Sequence, residues 1–82
     1  MRRQSVDSET ITSIGYLPDR CELEIEFRKS GDVYRYFGVA AEEYAEFMTA
    51  ESKGAYLNRV FKEKRHRYIA AKRGGNQFRE SA

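Results

Sequence analysis

Cys21-Glu22-Leu23-Glu24-Ile25-Glu26-Phe27-Arg28 alternates, residue by residue, between apolar and charged side chains. A period of two is the pitch of a pleated strand, so Cys21, Leu23, Ile25 and Phe27 are expected to face a core and Glu22, Glu24, Glu26 and Arg28 to face water. On this reading Cys21 is a buried small apolar residue. Lys29-Ser30-Gly31-Asp32 then closes a hairpin, with Gly31 free to take positive φ. Val33-Tyr34-Arg35-Tyr36-Phe37 returns as an aromatic and β-branched strand ended by Gly38. Upstream, Thr10 to Leu17 is also rich in strand formers. Ile11 and Ile14 fall out of alternation there, which a bulge near Ser13 or Gly15, or a later strand start, would reconcile, and Pro18-Asp19-Arg20 turns the chain toward Cys21.

Beyond Gly38 the period lengthens. Ala40 to Ala50 reads as a helix with Tyr44, Phe47 and Met48 on one face and Glu42, Glu43 and Glu46 on the other. Glu42 and Glu43 stand in its first turn, where the helix dipole favours negative charge. Ser52 is the expected N-cap of a second helix with the stripe Tyr56, Leu57, Val60 and Phe61. The following Lys62-Glu63-Lys64-Arg65-His66-Arg67 holds no apolar residue; Tyr68 and Ile69 offer a last apolar contact, and Lys72-Arg73-Gly74-Gly75 reads as a helix stop. The expected fold is α+β: a three-stranded antiparallel sheet with two helices packed on one face, in the order β-β-β-α-α. Leu23, Ile25, Phe27, Tyr44, Phe47, Met48, Leu57 and Phe61 are its expected core.

With 82 residues there is room for one core. The expected division is a loose N-terminus over 1–8, one domain over 9–73 and a loose tail over 74–82. Cys21 is the single cysteine, so no internal disulfide forms, and a reducing, cytoplasmic setting is the natural expectation. The apolar runs are too short for a membrane span, and Met1-Arg2-Arg3-Gln4-Ser5 has no apolar segment behind it, unlike a signal peptide.

The net charge of +2 conceals an asymmetry. From Arg59 to Arg73 there are seven cations (Arg59, Lys62, Lys64, Arg65, Arg67, Lys72 and Arg73) against the single acid Glu63, whereas residues 1–58 carry eleven acids against seven cations. A basic C-terminal element on an acidic body suggests a polyanionic or a self-complementary partner.

The ordered set Val6-x-Ser8, Ile11, Ile14-Gly15-Tyr16, a Leu-x-Ile-x-Phe strand, Val33-Tyr34-x-Tyr36-Phe37-x-Val39 and Ala50-x-Ser52-x-Gly54-x-Tyr56-Leu57-Asn58 resembles the KTSC domain. That small module is named for its occurrence at the C-terminus of some lysyl-tRNA synthetases and is also found as a free-standing bacterial protein. The resemblance spans about residues 6–62 and implies a compact α+β module; its synthetase context suggests RNA binding. The chain departs from the usual pattern at Glu9, Leu17, Ala40 and Leu57, where the family commonly has serine, aspartate, proline and an aromatic residue.

Two groups of residues carry candidate functions. The seven cations of 59–73 read as a phosphate-tracking helix for RNA, or as a solvated face that pairs with Glu42, Glu43, Glu46 and Glu51 of the same or a neighbouring copy. Tyr34 and Tyr36 share one face of their strand. They read as a stacking platform for bases, or as core residues with Arg35 on the wet side; a small sheet's need for buried aromatic area favours the core. His66 has no second histidine or carboxylate cluster beside it in the sequence, Cys21 has no base to activate it, and no metal-ligand or phosphate-loop spacing is present. The expectation is a non-enzymatic module without cofactor or metal, binding RNA or another polyanion through its basic C-terminal helix. A protein–protein adaptor or homodimer is the alternative.

Overall fold

The computed structural model describes residues 2–74. Its sheet has five strands rather than three: β1 Gln4–Ser5, β2 Ile11–Leu17, β3 Glu22–Phe27, β4 Val33–Phe37 and β5 Tyr68–Lys72, in the order β1-β2-β3-β4-β5. Every neighbouring pair is antiparallel. Between β4 and β5 lie α1, Ala41–Thr49, and α2, Lys53–Tyr56. The second helix continues through a π-helical turn, Leu57–Phe61, into a tighter 3-10 turn, Lys62–Lys64. An α+β fold with two helices packed on an antiparallel sheet is therefore correct, and both added strands come from segments that looked irregular or helical.

The hairpin of β3 and β4 pairs as its pattern dictates, with Leu23 opposite Tyr36 and Ile25 opposite Tyr34. The bulge expected in β2 falls between Ile11 and Ser13. It turns both Ile11 and Ile14 into the core, where neither has exposed surface. Ser52 caps α2 as expected, its hydroxyl accepting from the Ala55 N–H at 3.2 Å.

The helix expected to run on to Lys72 instead ends at Arg65, which adopts the left-handed conformation (φ 56, ψ 43). A stretch without apolar side chains has no face to hold against a sheet, so nothing favours extending the helix through it. The β-forming pair Tyr68-Ile69 can then join the free edge of β4, with Tyr68 opposite Tyr36 and Ala70 opposite Tyr34. The apparent helix stop is the end of this strand. Gly74 sits against the β3–β4 turn, its N–H donating to Asp32 Oδ1 at 2.6 Å, and a Cβ there would lie 1.7 Å from the Ser30 carbonyl oxygen. The tail from Gly75 onward lies outside the described residues. At the other end, Gln4–Ser5 pairs with β2, so part of the segment expected to be loose is the first strand.

Of the expected core, Leu23, Ile25, Phe47, Leu57 and Phe61 are buried, and Phe27, Tyr44 and Met48 are half-buried against them. Ile11, Ile14, Tyr36 and Val39 complete the cluster. Tyr16 and Tyr44 stack at 4.4 Å and 12°. The Tyr16 hydroxyl donates to the Val39 carbonyl at 2.6 Å, tying β2 to the start of α1.

Two side chains of the alternating strand lie elsewhere than expected. Cys21 is exposed, at φ 54, because the turn after Pro18 takes one residue more than its sequence signal and β3 begins at Glu22. Glu24 points to the reverse face of the sheet as alternation requires, yet it is only 4% exposed. Arg35 on β4 approaches its Oε2 with two nitrogens, at 2.7 and 3.0 Å, and Arg3 approaches Oε1 at 3.0 Å. Burial by itself pushes the Glu24 carboxyl up, but Arg35 and then Arg3 outweigh it and hold the carboxyl below its ordinary value of 4.5.

Phe47 has no exposed surface and packs on Phe61 and Tyr56. Phe47→Ala should cost about 3–5 kcal/mol. Total stability at this size is on the order of 4–12 kcal/mol, so urea denaturation should find the variant at the edge of unfolding. A second outcome follows from Glu24. A depressed native pKa means that its contribution is complete above pH 4.5 and is lost as pH falls through the native value. Glu24→Gln should be less stable than wild type at neutral pH, and acid titration should show the difference narrowing below pH 4.5.

Candidate nucleic-acid interface

Phe61 is buried, while Lys62, Glu63 and Lys64 after it are exposed. The left-handed turn at Arg65 then sends the backbone back toward the sheet, and His66 folds inward. Its Nε2 lies 2.7 Å from Glu43 Oε2 on α1, with only 11% and 9% of the two side chains exposed. Its ring packs 5.0 Å from that of Phe61. One residue on, the Arg67 carbonyl accepts from the Phe37 N–H at 2.9 Å. The basic segment is thus pinned at two successive residues, one to a helix and one to the sheet.

This return leaves a groove of about 850 Å3 on the helix side of the sheet, beside the end of the second helix. Phe27, Tyr34, Tyr36, Phe61 and Tyr68 supply its aromatic surface, and Lys62, Arg65, His66 and Arg67 complete the lining. The rings form a connected set. Tyr34 and Tyr68 stack at 5.4 Å and 11°, Tyr36 meets Tyr68 at 5.4 Å and Phe61 edge-on at 5.0 Å, and Phe27 meets Tyr34 edge-on at 5.6 Å. Tyr36 is embedded; burial first, then the neighbouring Tyr68 and Tyr34, push its phenol up to about 12. Tyr68 is 58% exposed and Tyr34 half-buried. A second hollow of about 610 Å3, lined in part by Thr10, Lys29 and Asp32, shares Phe27 and Tyr34 with the first.

The seven cations singled out from the sequence therefore divide. Lys62, Arg65 and Arg67 line the groove. Arg59 and Lys64 are exposed on the preceding turns, and Lys72 and Arg73 stand at the far end of β5, near the β3–β4 turn. They do not lie on one continuous helix: only Arg59, Lys62 and Lys64 are on its closing turns, which corrects that expectation. Tyr34 and Tyr36 lie on the helix-facing side of the sheet: Tyr36 is core, and Tyr34 is shared between the core and the groove. Of the acids considered as partners for the basic run, Glu43 reaches His66, while Glu46 accepts from the Tyr56 hydroxyl at 3.0 Å.

The matched residues extend into this groove. A family model described as the KTSC domain matches residues 7–68. The chain belongs to the KTSC domain family. A crystal structure of a KTSC domain protein from Yersinia pestis is 43% identical, with a TM-score of 0.78 over 84% of this chain and 94% of that one. An uncharacterised protein of Stutzerimonas stutzeri is 40% identical over 68 residues, 83% of this chain and 94% of its own length. Sequence reading missed Tyr68 as a site residue and the pin between Glu43 and His66 in this KTSC domain. The adjacent β-formers Tyr68 and Ile69, directly after a polar run, are the signal that could have found the former. The latter links residues 23 apart in sequence and leaves no local trace.

Glu43→Ala would leave His66 without its partner, a loss of about 1–3 kcal/mol for a mostly buried group. The effect should be local. Hydrogen exchange at the Phe37 amide, bonded to Arg67, should speed up more than exchange at β2–β3 amides; a uniform change across the sheet would show that the pin does not hold this segment.

Proposed function

We propose that this KTSC domain is a non-enzymatic binding module of the cytoplasm that takes RNA, or another polyanion, at the rim of the groove. One observation carries the reading: Lys62, Arg65 and Arg67, drawn from a segment with seven cations and one acid, stand together around one concave surface. Three positive groups on a curved wall can each meet a phosphate, and the two pins at residues 66 and 67 reduce the entropy lost when they do so. Arginine suits the task because its planar guanidinium can donate two hydrogen bonds to one phosphate. The family's occurrence beside a tRNA-handling enzyme agrees with this reading. A reducing compartment suits a chain whose one cysteine is exposed.

Self-association is the competing reading. It is favoured by the exposed edge strand β5, whose Ile69 is 49% exposed. Antiparallel pairing of two copies about Ala70 would set Arg67 of one copy opposite Arg73 of the other, and like charges directly opposed are destabilising. Polyanion binding meets no such penalty.

The test combines Lys62→Ala, Arg65→Gly and Arg67→Ala. Glycine at 65 accepts the left-handed backbone, so the fold should survive. Titration against a generic RNA at several salt concentrations should find weaker binding and a log-affinity versus log-salt slope flatter by about two. Lys64→Ala, outside the groove, should change affinity far less. Equal binding by wild type and the triple variant would remove the groove as the contact surface. If instead wild type dimerises without binding RNA, self-association is the better account.

A further inference from the structure

We infer that the groove takes an unpaired nucleobase, so that the ligand of this site is single-stranded RNA rather than a duplex or a bare chain of phosphates. The inference rests on the RNA reading above and deepens it. Cations alone would serve any polyanion, but here they rim an aromatic surface. Tyr68 leaves more than half of its surface open while stacking on Tyr34 at 5.4 Å and 11°. A ring left this open beside a cluster of buried rings presents a π-face that a planar ligand can cover. The flat occupant that complements both a π-face and adjacent guanidiniums is a base with its phosphates. A volume of about 850 Å3 lies within the range of small-molecule sites. Duplex RNA keeps its bases stacked inside and offers mainly backbone and a shallow groove, so it would leave the aromatic surface unused. Tyr36 and Phe61, buried behind Tyr68 and Tyr34, hold the platform in place.

The chain has no tryptophan, so Tyr68→Trp creates a single fluorescent reporter at the platform. Three probes separate the terms: a short oligouridylate, the same strand annealed to oligoadenylate, and inorganic polyphosphate. The single strand should bind most tightly and quench the reporter, whereas polyphosphate should bind without quenching. Tyr68→Leu, which keeps apolar bulk without a π-face, should weaken single-strand binding roughly 5- to 150-fold and leave polyphosphate binding unchanged. Tyr68→Phe should bind as wild type does, separating loss of stacking from loss of fold. If Tyr68→Leu binds the single strand like wild type, or the duplex binds as tightly as the single strand, while the triple cation variant still weakens binding, the base platform is overturned and the phosphate-binding rim stands. If none of the three probes binds at low salt, both readings fall.

Discussion

The left-handed backbone at Arg65 is the constraint on which the rest of the C-terminal half depends. A non-glycine residue in this conformation costs about 1–2 kcal/mol, so something must hold it. Behind it Phe61 is locked in the core; ahead of it His66 meets Glu43, Arg67 accepts from Phe37, and β5 pairs along β4. These contacts together exceed the local strain. Had the helix continued, Tyr68 would not lie on the edge of β4 and the cations would spread around a solvated cylinder. The turn therefore completes the sheet and also gathers Lys62, Arg65 and Arg67 beside the exposed rings.

The two faces of the sheet are stabilised by different physics. The helix side buries aliphatic and aromatic area against α1 and α2. The reverse side is organised around Glu24, a carboxylate that would lose several kcal/mol of hydration without partners. Arg35 from β4 and Arg3 from just before β1 supply them, and Arg3 also donates to the Ser13 hydroxyl, which donates in turn to Glu26 at 2.8 Å. With only two paired residues, β1 has little of its own to hold it in place. The guanidinium of Arg3, reaching across β2 to β3, gives that end of the chain a reason to stay.

The residues by which the chain resembles its family are mostly fold-forming. Ser8 accepts from the N–H groups of Thr10 and Ile11 at 3.1 and 3.2 Å and shapes the entry to β2. Ser52 caps α2, and Tyr16 anchors β2 to Val39. Gly54 packs so closely on Thr10 that a Cβ would lie 2.7 Å from its hydroxyl oxygen. Ala40 offers α1 no side-chain cap, as a proline there would not either, and its carbonyl accepts from the Tyr44 N–H at 3.0 Å. Such residues account for family membership by specifying how the helices meet the sheet. The groove cations Lys62, Arg65 and Arg67 fall within the matched residues but are not among these fold-forming positions.

Sequence by itself determined the β2–β4 meander, the first helix and the Ser52 cap, because each follows from the period of a few consecutive residues and from local turn and cap chemistry; it offered the bulge in β2 as one of two ways to reconcile Ile11 with Ile14. It also marked the cations of 59–73 and the shared face of Tyr34 and Tyr36. Only the tertiary structure decided that Tyr68–Lys72 is a strand, that Glu24 is buried between two arginines, that Cys21 lies in a turn, and that Lys62, Arg65 and Arg67 share a groove with Tyr68. Cys21 was displaced locally, by a turn one residue longer than its signal; the other three depend on partners distant in sequence. A polar run such as Lys62 to Arg67 has no apolar period to declare its conformation, so its path is set by partners distant in sequence: the open edge of β4, the carboxylate of Glu43 and the buried ring of Phe61.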